Sequence, residues 1–285
     1  MRMPESRTIR RSVIAGSWYP GTEKSLAHTI DDYLSHVDQP LLSGELFGLI
    51  SPHAGYVYSG QTAAYAYHQL RGRQVDTVVL MGPSHRAWVS DCAVSAEDAY
   101  ETPLGVVPLD QDFIADLAAC VPLQRVHHDA EHSLEIQLPF LQRQLDDFLL
   151  VPIMMSADDP AIAQKLAAAL AEIIRHRAEG DGHVLLVASS DMHHIESYEE
   201  VVRRDRPVIE AIAAYDLEVL TPLLMSPRCS VCGRIAILTA LHAGKALGAD
   251  SAQILHHTNS GDVTGQRGPG QYTVGYMAAA IYKAQ

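Results

Sequence analysis

Three apolar runs in this chain each stop at a histidine. Residues 46–50 lead into Ser51-Pro52-His53, residues 77–81 into Gly82-Pro83-Ser84-His85, and residues 184–188 into Ser189-Ser190-Asp191-Met192-His193-His194. Each run reads as a buried strand, broken by proline or a small residue just before the histidine. In open α/β sheets, ligands bind beyond the carboxyl ends of the strands. If these strands lie side by side, imidazoles from distant parts of the chain converge on one spot, as a metal or acid/base site requires.

Helical and strand-like patterns alternate between these runs, which indicates an α/β layer fold. The spacing predicts helices over residues 56–70, 110–119 with Asp110 as cap, 133–145, 159–176 capped by Asp158 or Asp159, 199–215 and 231–247. Strands are expected over 148–155, 252–257 and 272–282. Shorter strand-like pieces at 92–94 and 104–107 predict an antiparallel portion, and hence a mixed sheet. Residues 260–270, rich in glycine, read as a hairpin-like loop. The expectation is an α/β fold in which residues 1–285 form a single domain, with a central mixed β-sheet flanked by helices.

The composition suits such a core: 47% of the 285 residues are apolar and 19% charged, which argues against bulk disorder. A net charge of −13 argues against nucleic acid as a partner and offers nothing to an anionic membrane. No stretch approaches the roughly 20 apolar residues of a spanning helix. Arg2, Arg7, Arg10 and Arg11 mimic the start of a signal peptide, but the following Val13-Ile14-Ala15 is too short for its apolar region. The expected location is cytoplasmic, with Cys92, Cys120, Cys229 and Cys232 reduced.

His53 sits on a strand-to-helix turn, where it either caps the helix or serves as a ligand. His85 repeats that placement, without the Gly-Lys-Ser/Thr ending of a phosphate loop. In Asp191-Met192-His193-His194, adjacent histidines in a loop point different ways, so at most one serves a site directly. Cys229-Ser230-Val231-Cys232 enters a helix and leaves several readings open. It is a dithiol redox pair, a zinc site lacking its second pair, a single soft ligand at Cys232, or two half-buried thiols. Glu131-His132-Ser133-Leu134-Glu135 is not a zinc-protease motif. It reads first as an acidic helix turn complementing the dipole, with His132 as a candidate to support a ligand. No G-x-S-x-G elbow supports serine hydrolysis.

Taken together, six stretches in fixed order resemble the Memo family, called AmmeMemoRadiSam system protein B in prokaryotes. They are Ala15-Gly16-Ser17-Trp18-Tyr19-Pro20, Ser51-Pro52-His53-Ala54-Gly55-Tyr56, Gly82-Pro83-Ser84-His85, Glu131-His132-Ser133-Leu134-Glu135, Ser189-Ser190-Asp191 and Val231-Cys232-Gly233-Arg234. The resemblance implies a fold similar to class III extradiol dioxygenases. It implies a metal site built from His53, His85 and Cys232, with Asp191 and His194 beside it. His194 matches the acid/base histidine of the dioxygenases, and Asp191 is expected to orient it. The implied cofactor is iron as Fe2+, with copper or zinc as alternatives. The implied partners are a small-molecule substrate and O2, or other proteins. Where the dioxygenases place a carboxylate, this chain has Cys232, a softer ligand that suits Cu(I) and Zn as well as iron. Two functions follow: a non-haem metal enzyme of redox or dioxygenase type, and a non-catalytic metal-binding or adaptor protein that keeps a vestigial dioxygenase pocket.

Overall fold

The three apolar runs form strands with almost no solvent exposure, and they lie next to one another. The structure, a computed structural model, describes residues 8–180 and 182–285; Arg2 and Arg7 lie outside the described residues. In chain order the first elements are β1 (Ile9–Arg10), α1 (Glu23–Ser35), β2 (Glu45–Ser51), α2 (Tyr56–His68), β3 (Thr77–Pro83), β4 (Cys92–Ser95), β5 (Ala99–Thr102) and β6 (Gly105–Pro108). Next come α3 (Gln111–Cys120), β7 (Gln124–Val126), α4 (His132–Glu135), α5 (Leu138–Gln144), β8 (Leu149–Met155), α6 (Pro160–Ala178) and β9 (Val184–Ser189). The chain ends with β10 (His194–Ile195), α7 (Tyr198–Ala213), α8 (Leu217–Leu224), α9 (Arg234–Leu247), β11 (Ser251–Asn259), α10 (Ser260–Thr264) and β12 (Thr273–Lys283).

Among the described residues, nine strands share one sheet in the order β10-β12-β2-β9-β3-β8-β4-β7, with β11 paired to β12. Strands β2, β9, β3 and β8 are parallel, β12 runs antiparallel to its neighbours, and β4 is antiparallel to β8 but parallel to β7. The sheet is therefore mixed. Residues 104–107 fall elsewhere: β6 pairs with β5 and, through it, β1 in a separate three-stranded sheet.

Parallel strands buried on both faces need helices on each side. The β2–α2–β3 crossover steps across β9 in one direction, and β8–α6–β9 steps back across β3 in the other. Right-handed crossovers of opposite direction put their helices on opposite faces. Accordingly α2 packs with α1 and α5, while α6 packs with α3 and α9. Local chemistry sets the helix starts. Asp110 accepts from the Phe113 amide at 2.9 Å, and Asp159 accepts from Ala161 at 2.8 Å ahead of Pro160.

The helix expected over 133–145 is two short ones. Pro139 has no amide to donate to the carbonyl four residues back, and it sits in the first turn of α5, where that loss is harmless. The segment 260–270 carries α10, capped by Asn259, inside the connection between antiparallel β11 and β12. The helix expected from residue 231 starts at Arg234, and the preceding turn belongs to the site.

Candidate metal centre

Ser51 and Ser189 are paired across β2 and β9, so these two strands end level, while β3 continues to Pro83 beside β8. The loops leaving all three carboxyl ends meet at one place. His53, from the first, points its Nε2 at the Cys232 Sγ, 3.1 Å away. Its Nδ1 lies 3.0 Å from Ser189 Oγ. His85, from the second loop, has its Nδ1 3.0 Å from Glu131 Oε1, and the two imidazole centroids are 5.3 Å apart. One ligand atom from each of His53, His85 and Cys232 falls within 4.8 Å of the others. In both histidines an outer nitrogen is occupied and the inner one faces the cluster. That is how proteins orient imidazoles toward a metal.

Cys232 reaches the cluster because the turn before α9 presses onto the end of β9. The Gly233 amide donates to Ser190 Oγ at 2.9 Å, and a side chain at Gly233 would collide with the Ser189 carbonyl. The Asp191 amide in turn lies 3.2 Å from Cys232 Sγ.

The acidic turn does more than complement a helix dipole. Glu131 caps α4 through the Ser133 amide, holds His85 by its ring, and accepts from the His85 and Arg86 amides at 2.5 and 3.1 Å. Burial pushes its carboxyl up, but the bonds from His85 and Ser133 and the nearby imidazoles outweigh this and bring it down to about 2. His132 stacks on His85 with centroids 4.7 Å apart, and Trp18 packs on its other side at 4.4 Å. One turn later, buried Glu135 accepts from Arg10, Ser12, Tyr19 and the amides of Val13 and Ile14. Arg10 also donates to the carbonyls of Asp129 and Glu131. The N-terminal segment is thereby clamped behind the centre.

A cavity of about 630 Å3 opens beside the cluster, lined by His53, His85, His132, Asp191 and His194, with Trp18, Tyr58, Tyr272 and Tyr276 among its aromatic walls. The two adjacent histidines do diverge. His194 faces this cavity, while His193 turns to Asp205 at 2.8 Å. His194 Nδ1 lies 3.2 Å from Tyr272 Oη, and its buried Nε2 has no partner among the described residues. Burial, then the neighbouring His85 and His193, lower its pKa to about 4, so its imidazole is neutral near pH 7. Burial likewise keeps His53 well below its usual range and pushes the Cys232 thiol up.

The structure brings together His53, His85 and Cys232, and places Asp191 and His194 beside them. The expected Asp191–His194 pairing is absent among the described residues. The Asp191 carboxylate accepts from the amide of His53 at 2.7 Å and from that of Ala54, so it fixes the turn carrying His53. Burial, against those bonds, raises its pKa to about 7. Tyr272 occupies the orienting place beside His194. Sequence reasoning missed Tyr272, Ser189 and the grip of Glu131 on His85. For Glu131 alone a signal existed, its motif of two glutamates around a histidine.

A family model described as Memo-like protein matches residues 10–280. A MEMO1 family protein of Nitrosopumilus maritimus is 35% identical over 278 residues, covering 95% of this chain and 98% of that protein. One from Methanosarcina mazei is 35% identical over 276 residues, covering 96% and 99%. One from Archaeoglobus fulgidus is 37% identical over 256 residues, covering 90% and 94%. With a match of this extent, the chain belongs to the Memo-like family.

Proposed function

We propose that this protein is a mononuclear metal protein whose ion is held by His53, His85 and Cys232, with Fe2+ as the first choice and copper or zinc as alternatives. The observation that carries this reading is the convergence of two imidazole nitrogens and one thiol, with the outer nitrogens of both histidines already engaged. The donor set fits a transition ion: two imidazoles and a soft sulfur suit iron, copper and zinc and disfavour magnesium or calcium. When bound, the ion supplies Lewis acidity and, as iron or copper, one-electron chemistry.

The chain's own residues supply the rest. The cavity has room for a small molecule with O2 as co-substrate, and Trp18, Tyr58, Tyr272 and Tyr276 form part of its wall. His194, neutral and with an unpartnered nitrogen, accepts a proton from a bound hydroxyl at Nε2, while Tyr272 Oη, 3.2 Å from Nδ1, orients the ring. Asp191 positions His53 rather than His194. Elemental analysis of anaerobically purified protein tests the ligand set. Stoichiometric metal is expected in the native chain and none above background in Cys232→Ala; equal metal in both sinks it. Turnover of a catechol panel by iron-loaded protein, lost in His194→Ala, tests the redox reading.

A second reading, a non-catalytic metal-binding or adaptor protein, is favoured by one observation. The carboxylate nearest the thiol, Asp191, is tied to the His53 and Ala54 amides, leaving Cys232 where a dioxygenase has a carboxylate. A His53→Ala protein that loses metal but keeps its protein partners would support it.

A further inference from the structure

Behind the metal centre lies a second cluster that the proposed function does not use. His193 Nδ1 is 2.8 Å from Asp205 Oδ1, and the His193 amide donates to the same oxygen at 3.0 Å. The Cys229 side chain lies close enough to the same imidazole to raise its pKa. Three separate segments supply the three groups: Asp205 from α7, His193 from the loop after β9, and Cys229 from the turn before α9. Ser230 ties the last two together, since its hydroxyl accepts from the His194 amide at 3.0 Å and lies 3.2 Å from the His194 carbonyl.

The arrangement is built in. His193 and Asp205 are buried, and a side chain at Gly275 would collide with the Asp205 carboxylate, so β12 makes room for it. Cys229 is only partly buried and opens into a different cavity, of about 330 Å3, lined also by Cys232, Ser84, Met155, Asp158 and Arg234. A nucleophile beside an imidazole, with that imidazole oriented by a carboxylate, is the arrangement that activates thiols.

We propose that Cys229, His193 and Asp205 form a reactive-thiol site that exchanges with small disulfides entering this second cavity. The Cys229 thiolate attacks one sulfur of a disulfide. A new sulfur–sulfur bond forms to Sγ as the old one breaks, and the departing thiolate takes a proton from the His193 imidazolium. Cys229 is oxidised by one level and the leaving sulfur reduced by one. His193 is suited to this part: burial lowers its pKa, but Asp205 and Cys229 outweigh that and raise it to about 9, so the ring is charged near neutrality. The other ionisable groups around the site are His194 on the same loop, Cys232 on the same turn, Arg204 donating to the Arg228 carbonyl, and the Arg234–Asp158 pair across the cavity.

The test is the rate of mixed-disulfide formation with an aromatic dipyridyl disulfide, resolved by peptide mass mapping. Exposed Cys120 serves as the internal reference for an ordinary thiol. At pH 7 Cys229 is expected to react at least about tenfold faster than Cys120. In His193→Gln the Cys229 rate should fall to that of Cys120. The native comparison needs no variant, so poor folding of His193→Gln leaves the test intact. If native Cys229 reacts no faster than Cys120, the proposal is overturned; an unchanged rate in a folded His193→Gln removes His193 from it.

Discussion

Two buried carboxylates in this molecule each grip a histidine, and the histidines do different work. Glu131 holds His85, whose free nitrogen faces the main cavity beside His53 and Cys232. Asp205 holds His193, whose ring meets a thiol instead. The first pair leaves a lone pair for an ion; the second keeps a proton beside sulfur. What separates them is the surroundings. His85 stacks on His132 and faces His53, whereas His193 sits between a carboxylate and a thiol.

If the two regions are independent, variants in one should leave the other untouched. The largest effect is expected for His53→Ala or Cys232→Ala, where metal content falls to background, while Asp205→Asn retains the metal of the native protein. Loss of metal in Asp205→Asn, measured by elemental analysis, would break the comparison. Next comes Arg10→Met, which strips Glu135 of its buried cation. Breaking such a pair costs about 3–5 kcal/mol, read by denaturant unfolding. Because Arg10 also braces the Glu131 main chain, metal affinity should fall along with stability.

Glu131→Gln is expected to weaken metal binding by about 10- to 100-fold, as losing an outer partner of a ligand histidine does. Competition with a chelator measures it, and the disulfide-exchange rate of Cys229 should not move. The smallest effect is a pH dependence. The folded pKa of His193, about 9, lies above the unfolded value of about 6.5. Its pairing with Asp205 therefore stabilises fully below about 6.5, and the contribution fades as pH rises toward 9. The stability gap between native protein and Asp205→Asn should be on the order of 1–2 kcal/mol at pH 6 and close by about pH 9. A gap that widens with pH would mean that the ring is neutral when folded.

Legibility from sequence followed burial. Strands β2, β3 and β9 were readable because both faces are covered, so their residues are apolar without interruption. The acidic caps of α3 and α6 were readable because a cap is local chemistry. Helix α1 left no such trace: only Leu26 and Ile30 are fully buried in thirteen residues, a thin stripe in a polar stretch. Helix α8 is short and carries Pro222 inside it, against the usual rule. At the site, His53 and His85 were readable from strand ends, and Cys232 from resemblance. The partners were not. Asp191 and His194 are three residues apart yet serve different neighbours, while Glu131 and His85 meet across 46 positions. Such pairings are made by the sheet, and no local spacing encodes them.

The strand order has a consequence for the chain as it is synthesised. Strand β2 lies between β9 and β12, and β3 between β9 and β8. Both histidine-bearing strands therefore emerge from the ribosome long before any neighbour exists. They wait as unpaired apolar edges, the kind of surface that chaperones cover. Cys232 follows later still. If His53, His85 and Cys232 hold an ion as proposed, a nascent chain exposes the two imidazoles before the sulfur that completes the set, and metal loading would follow near-complete synthesis.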